Sequence, residues 1–225
     1  MTARSLFGYK FKSDMKLLIK IIAIILLVFA GILALALIPS PQPDAPKPWE
    51  ITMQADGEIK VFDIHLGHST YRDAQQHWRD AGEVALFSEN GEVITAEVFF
   101  NHINLSGLSA KIVANLQLPA ETLNQMATNA RSSKLQPSGA RRLQPAFADK
   151  ERLLDAPIIA ITYIANYRPD EATLRSRFGE PAKIKGDPDD PQAAIWQYPE
   201  SHLSLRLHPE DKPVFFYQAR SAFSR

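Results

Sequence analysis

Residues 21–38, IIAIILLVFAGILALALI, form a run of eighteen apolar residues without a charge. A helix of that length covers roughly 27 Å at about 1.5 Å per residue, close to the ~30 Å hydrocarbon core of a bilayer. Residues 17–20 can extend it, and a transmembrane helix is expected over 17–38. Arg4, Lys10, Lys12, Lys16 and Lys20 precede the run against Asp14 alone, which puts residues 1–20 in the cytoplasm as a short tail. The C-terminal part is then exported, giving a bacterial inner-membrane protein with a periplasmic domain. A second reading is a cleaved signal peptide, since Ala34-Leu35-Ala36 offers small residues at the spacing a signal peptidase needs. Cleavable cores usually run ~7 to 15 residues, which favours the uncleaved anchor. Both readings export the domain.

The remaining ~185 residues suffice for one ordinary domain or two small ones. The chain carries no net charge, so the basic tail leaves the rest mildly acidic. Nucleic-acid binding draws on a basic face that releases counterions, and this charge balance argues against it. With no cysteine, disulfides, thiolate metal sites, thiol nucleophiles and a lipidated cysteine anchor are all excluded.

Residues 39–48, PSPQPDAPKP, hold five prolines and read as a polyproline-like linker about 30 Å long. Trp49 is expected as the first packed residue beyond it. Residues 58–66 alternate as one strand, with Lys60, Phe62, Ile64 and Leu66 against Ile59, Val61, Asp63 and His65. Ser69 or Thr70 can cap a helix to about Asp80, with Tyr71, Ala74, Gln75 and Trp78 on one stripe. Asn90-Gly91 between apolar runs predicts a two-residue hairpin. Pairing Glu89 with Glu92 sets Phe87 opposite Ile94 and Ala85 opposite Ala96. A third strand over 110–118 turns Ala110, Ile112, Ala114, Leu116 and Leu118 inward, and Pro119 opens a helix to about Ala130 with Leu123 and Met126 on its inner side.

Residues 131–156 begin with a Gly-, Ser- and Pro-containing stretch without sustained periodicity, and read as a basic linker between units 49–130 and 157–225. Arg131, Lys134, Arg141 and Arg142 within it are the candidate partner-binding residues, suited to an acidic partner, anionic headgroups or the cell-wall polymer. Beyond it come a buried strand over 158–164, a short helix on DEATLRSRF, and strands near 182–185, 193–198, 203–207 and 214–218. The Ala193-to-Tyr198 alternation makes at least one of Trp196 and Tyr198 core.

The two halves share an order of elements: strand, turn, short amphipathic helix, Gly, then antiparallel strands. LGHSTYRDAQQHWRDAGE answers YRPDEATLRSRFGEP, with Ala74 against Ala172 and Gly82-Glu83 against Gly179-Glu180. Over residues 169–198, the Thr-containing helix, Phe178-Gly179-Glu180-Pro181 and Trp196-Gln197-Tyr198 resemble the repeat of SmpA/OmlA lipoproteins, the BamE-like subunits of outer-membrane barrel assembly, and β-lactamase-inhibitor proteins. The chain departs from them in lacking the anchoring cysteine and any disulfide pair. The resemblance implies a non-enzymatic scaffolding or binding module of the cell envelope. The expected fold is α+β: an N-terminal transmembrane helix followed by two related units, each a short helix packed on an antiparallel β-meander.

The residues show no Gly-x-Ser-x-Gly elbow, no Ser-x-x-Lys placed on a helix and no phosphate-cradling Gly-rich loop. His65 and His68 are the only close histidine pair. Three apart on a strand they point to opposite faces, and no carboxylate sits nearby at ligand spacing, so no metal site is expected. Asp187, Asp189 and Asp190 lie between prolines and read as solvated turn formers. No catalytic, metal-binding or cofactor-binding residue and no small-molecule substrate is identified. The expected function is a membrane-tethered, non-catalytic interaction module that binds another envelope protein; the alternative is a periplasmic enzyme of unrecognised type. A deep pocket with convergent titratable groups would favour the enzyme, and a shallow basic or apolar patch the module.

Overall fold

The computed structural model describes residues 25–29, 31, 46–89, 92–105 and 107–220. The chain divides into two compact units, Met1–Pro43 and Asp44–Arg225. In the first, the described residues 25–29 and 31 are helical and exposed. No helix among the described residues is long and apolar enough to cross a membrane. This corrects the single-pass transmembrane helix and the inner-membrane assignment expected from residues 17–38. Much of that run lies outside the described residues, as do the tail at 1–20 and most of the linker at 39–48.

The second unit is mainly one ten-stranded antiparallel sheet with a few short helices, beside a small three-stranded sheet. The small sheet comprises β1 (Thr52–Met53), β2 (Ile59–Val61) and β3 (Ile64–His65). The single strand expected over 58–66 is instead a tight hairpin. Phe62 and Asp63 both take positive φ, at 53° and 66°, the combination a two-residue type I′ turn requires. The turn lets Val61, Phe62 and Ile64 all be buried. The Trp78 indole N–H donates to the Phe62 carbonyl at 3.1 Å and holds it there.

The large sheet contains β4 (Glu83–Glu89), β5 (Glu92–Leu105), β6 (Leu108–Leu116), β7 (Ser132–Leu135), β8 (Arg141–Gln144), β9 (Ile158–Ala165), β10 (Lys183–Asp187), β11 (Asp190–Tyr198), β12 (Leu203–Leu207) and β13 (Val214–Gln218). Its spatial order is β10-β11-β12-β13-β9-β6-β5-β4-β8-β7. β9 pairs with β6 on one side and β13 on the other, so the two halves share a single sheet. The expectation of two related α/β-meander units is corrected accordingly. A meander ending at β6 would leave a long unpaired edge, and the β-branched strand β9 satisfies it.

Among the described residues four α-helices accompany the sheet: α1 (Tyr71–Trp78), α2 (Ala120–Thr128), α3 (Lys150–Leu154) and α4 (Glu171–Phe178). Thr70 caps α1 through a capping box with Asp73, and Asp170 caps α4 by accepting from the Thr173 N–H at 2.7 Å. Their inward residues, including Ala74, Trp78, Leu123, Met126, Leu154 and Leu174, join one core with Leu86, Val98, Phe100, Ile112, Ile161, Trp196 and Phe215. The inward set expected on β6 and its continuation to Leu118 is buried throughout, and so are both Trp196 and Tyr198. Trp49 is half-buried under the Arg177 guanidinium, while the buried Pro48 accepts the Tyr217 hydroxyl at 2.7 Å.

Glu89 does face Glu92, but a bulge between Phe87 and Ser88 then shifts the register. Phe87 lies opposite Thr95, Leu86 opposite Ala96 and Ala85 opposite Glu97. Leu86 therefore shares the face of Ala96 expected for its neighbours Ala85 and Phe87, as one extra residue on a strand exchanges its faces; Ala85 is still buried, on the other face opposite Glu97, and Phe87 is partly exposed. The Asn90-Gly91 turn lies outside the described residues.

Candidate functional site

Antiparallel pairing places directly opposed residues on the same face. With Leu86, Ala96, Val98 and Phe100 turned to the core, the alternate residues of the central strands form a second face. Phe99 lies opposite Val113, Val113 opposite Thr162, Thr162 opposite Phe216 and Phe216 opposite Ser204. All five are partly exposed. The buried residues of the helices belong to the core on the other side.

Glu97 also lies on this second face, opposite Asn115. Partial burial pushes its carboxyl above the ordinary glutamate value, with the Asn115 side chain opposing the shift. Burial of this kind favours the protonated form in the folded state, so the stabilising effect is present below the ordinary value and lost as pH rises through the folded one. Glu97→Gln is expected to raise the urea midpoint at about pH 7 and leave it unchanged at about pH 3, where both side chains are neutral. Equal midpoints at the higher pH would refute the desolvation argument.

At one end of this sheet lie the four sequence-selected residues. The linker 131–156 begins as a hairpin, β7–β8, rather than irregular chain. Gly139, at φ +88°, supplies its turn, and the Gln136 N–H bonds the Ala140 carbonyl at 2.8 Å. β8 pairs with β4 through Leu86–Leu143, Phe87–Arg142 and Ser88–Arg141. Buried Leu143 anchors the hairpin, whereas all four residues of β7 are exposed. β7 is the last strand on this side, leaving its outer edge unpaired among the described residues.

The structure brings Arg131, Lys134, Arg141 and Arg142 together here, in distinct environments. Arg131 donates through Nε to the Pro145 carbonyl at 3.0 Å, and its guanidinium lies 3.9 Å from the Phe147 ring centroid. Arg141 donates to Ser133 Oγ at 2.9 Å. Arg142 bonds Glu83 at 2.7 Å and stands 5.8 Å from the Phe99 ring centroid. Lys134 faces Arg142 across the hairpin. Phe147 and Leu135 are 77% and 68% exposed. Composition marked the cations, but not these two side chains or the edge between them, because both depend on β8 docking against β4. An open edge, two exposed apolar groups and several cations suit an extended or acidic protein segment.

A second feature is a cleft of about 620 Å³ lined by Ala182, Lys183, Gln197, Pro199, His202, Leu203, Ser204 and Arg220. His202 is buried at φ 49°, with Nδ1 3.8 Å from Glu58 Oε2 and without a hydrogen-bond partner. Glu58 in turn accepts from the Arg220 backbone N–H at 2.9 and 3.1 Å. No local pattern in the sequence marks His202, whose neighbours Glu58 and Arg220 are distant in the chain.

The third feature overturns a specific expectation. The turn after β3 folds His65 and His68 to one side, where their rings stack with centroids 4.3 Å apart. Asp56, from the loop between β1 and β2, supplies the carboxylate that local spacing lacked. Its Oδ2 lies 3.0 Å from His65 Nε2 and 2.7 Å from His68 Nε2. The Asp56 carboxyl is held below the usual carboxylate range, first by the Glu58 N–H and then by the two histidines. Asp187 and Asp190 also depart from simple solvated turn formers, since both bond Arg206, at 2.5 and 2.7 Å. Comparison with known proteins finds no matching family model, curated protein or solved structure.

Proposed function

We propose that the Asp44–Arg225 unit is a non-catalytic protein-interaction module of the cell envelope that grips its partner through the β7–β8 hairpin. The observation that carries this reading is the joining of an open strand edge to exposed Leu135 and Phe147 and to Arg131, Lys134 and Arg141. The chemistry favours a partner segment with acidic and apolar side chains: the Arg131–Phe147 stack offers a cation on an aromatic platform, and β7 offers backbone donors and acceptors. Export rests on the basic tail followed by the apolar run. The resemblance of residues 169–198 to envelope scaffolding repeats agrees with that location.

The test is in-cell photocrosslinking of the full chain from position 135, with position 121 on α2 as control. Crosslinked protein is expected from 135 and not from 121. Arg131→Glu with Arg141→Glu should weaken capture by about 2 kcal/mol or more, near thirtyfold in Kd. Arg142 is left intact because its bond to Glu83 braces the hairpin. Capture that survives this charge reversal would remove the hairpin from the function.

The enzyme alternative has one observation in its favour, the buried His202 beside Glu58 in the 620 Å³ cleft. Loss of capture in His202→Gln with the hairpin variant unchanged would move the function to the cleft.

A further inference from the structure

Asp56, His65 and His68 hold three donor atoms within 4.8 Å of one another. Two are imidazole nitrogens and one is a carboxylate oxygen. This set suits a first-row divalent ion of borderline softness; Ca²⁺ and Mg²⁺ take six or more ligands, all oxygen. A tetrahedral ion about 2.0–2.1 Å from each donor would set the donors roughly 3.3 Å apart. The measured separations of 3.0 and 2.7 Å require an opening on the order of half an ångström to reach that value.

A hydrogen-bonded triad is the competing explanation, and it leaves one atom without a role. His65 Nε2 is buried and lacks a hydrogen-bond partner although Asp56 Oδ2 is only 3.0 Å away, because the two are out of line for a hydrogen bond. An ion lying between the donors would use the nitrogen lone pair that this geometry leaves unengaged. The surroundings also hold the ligands in place. Asp56 Oδ1 accepts from the Glu58 N–H at 2.9 Å, which leaves Oδ2 for the histidines. The His65 N–H donates to Ser69 Oγ at 3.0 Å, and the Ser69 N–H bonds the His65 carbonyl at 2.8 Å, closing the turn that carries His68. Support of this kind orients ligands and raises metal affinity.

We propose that Asp56 Oδ2, His65 Nε2 and His68 Nε2 bind a Zn²⁺-type ion that clips the β1–β2 loop to the turn leading into α1. Three protein ligands leave one position of a tetrahedral ion for water. His68 is the most exposed of the three, with 59% of its side chain accessible, so exchange with solvent is open. The site is independent of the hairpin on β7–β8.

The test strips the purified full chain with a chelator and titrates it with Zn²⁺ by calorimetry, then with Co²⁺ by visible absorption. One ion per chain and the d–d bands of a tetrahedral Co²⁺ site are expected. Asp56→Asn and His68→Gln should each lower Zn²⁺ affinity by more than the about 10–100-fold that follows loss of an outer-shell partner. His77→Gln, an exposed histidine on α1, should bind as wild type. Zn²⁺ should also raise the Tm of wild type and His77→Gln but not of the two ligand variants, because an ion that binds only the folded state stabilises it. Metal-free urea midpoints establish that each variant is folded. Absence of stoichiometric uptake by the wild type, or equal uptake by folded Asp56→Asn, would overturn the site.

Discussion

Phe100→Ala is expected to destabilise the Asp44–Arg225 unit by about 3–5 kcal/mol, the range for removing a fully buried aromatic ring from a core. Phe100 is 1% exposed and lies where β5 meets α1. Trp78 stands edge-on to it with ring centroids 4.9 Å apart, and Tyr71 approaches at 6.2 Å. Truncation loses both edge-to-face contacts and opens a void that the neighbours refill only partly. Trp78 is tethered to the Phe62 carbonyl and Tyr71 to the Ala81 carbonyl, so neither ring is free to move in. Urea unfolding of the full chain, followed by tryptophan fluorescence, should show the midpoint falling at unchanged slope. Phe100→Leu should cost markedly less because it retains most of the volume. A loss below about 1 kcal/mol for the alanine variant would show that this seam is not closely packed.

Gly82→Ala carries the second large effect, with a different origin. Gly82 sits at φ +62°, where a side chain costs about 1–2 kcal/mol in backbone conformation alone. A Cβ there would also stand 2.6 Å from Val98 Cγ1 and 2.8 Å from Phe100 Cε1, both in the core. Overpacking of that kind adds about 1–3 kcal/mol. Gly57→Ala separates the two contributions. Gly57 has φ +82°, and its nearest obstacle is the end of the Arg220 side chain at 2.7 Å, which can swing aside. It should therefore lose little beyond the backbone cost. Equal urea midpoints for the two variants would mean that Val98 and Phe100 yield to the added methyl.

The helices were legible because their determinants are local. Thr70 followed by Asp73 encodes the α1 cap, and Pro119 before Leu123 and Met126 encodes α2, within a single turn each. The alternation over 110–118 likewise names its own buried side. The bulge between Phe87 and Ser88 was not legible. A strict alternation fits apolar residues at 85 and 87 as well as it fits Leu86, and the choice falls to packing against Ala96 and Leu143. The hairpin at Phe62-Asp63 was hidden for a related reason. Asp63 tolerates positive φ but Phe62 does not advertise it, and that backbone is held by the Trp78 indole, sixteen positions away.

The candidate sites divide along the same line. Arg131, Lys134, Arg141 and Arg142 were found by composition, since a cluster of cations is visible wherever it lies. Their arrangement on an edge hairpin beside Leu135 and Phe147 was not, because β7–β8 reads as linker until Leu143 seats against Leu86. Asp56 was missed as a partner for His65 and His68 because loop closure between β1 and β2 brings it there.

By itself the sequence determined the local elements: capped helices, alternating strands, the absence of thiol chemistry and the position of the charges. These follow from periodicity and residue type within one or two turns of chain. Tertiary structure alone decided that β6 and β9 pair, turning two expected meanders into one sheet. It also decided which face of β4 is buried and which distant side chains converge at Asp56 and at His202. Those outcomes depend on pairing between segments whose edges are each compatible with several partners, and the shared core selects among them.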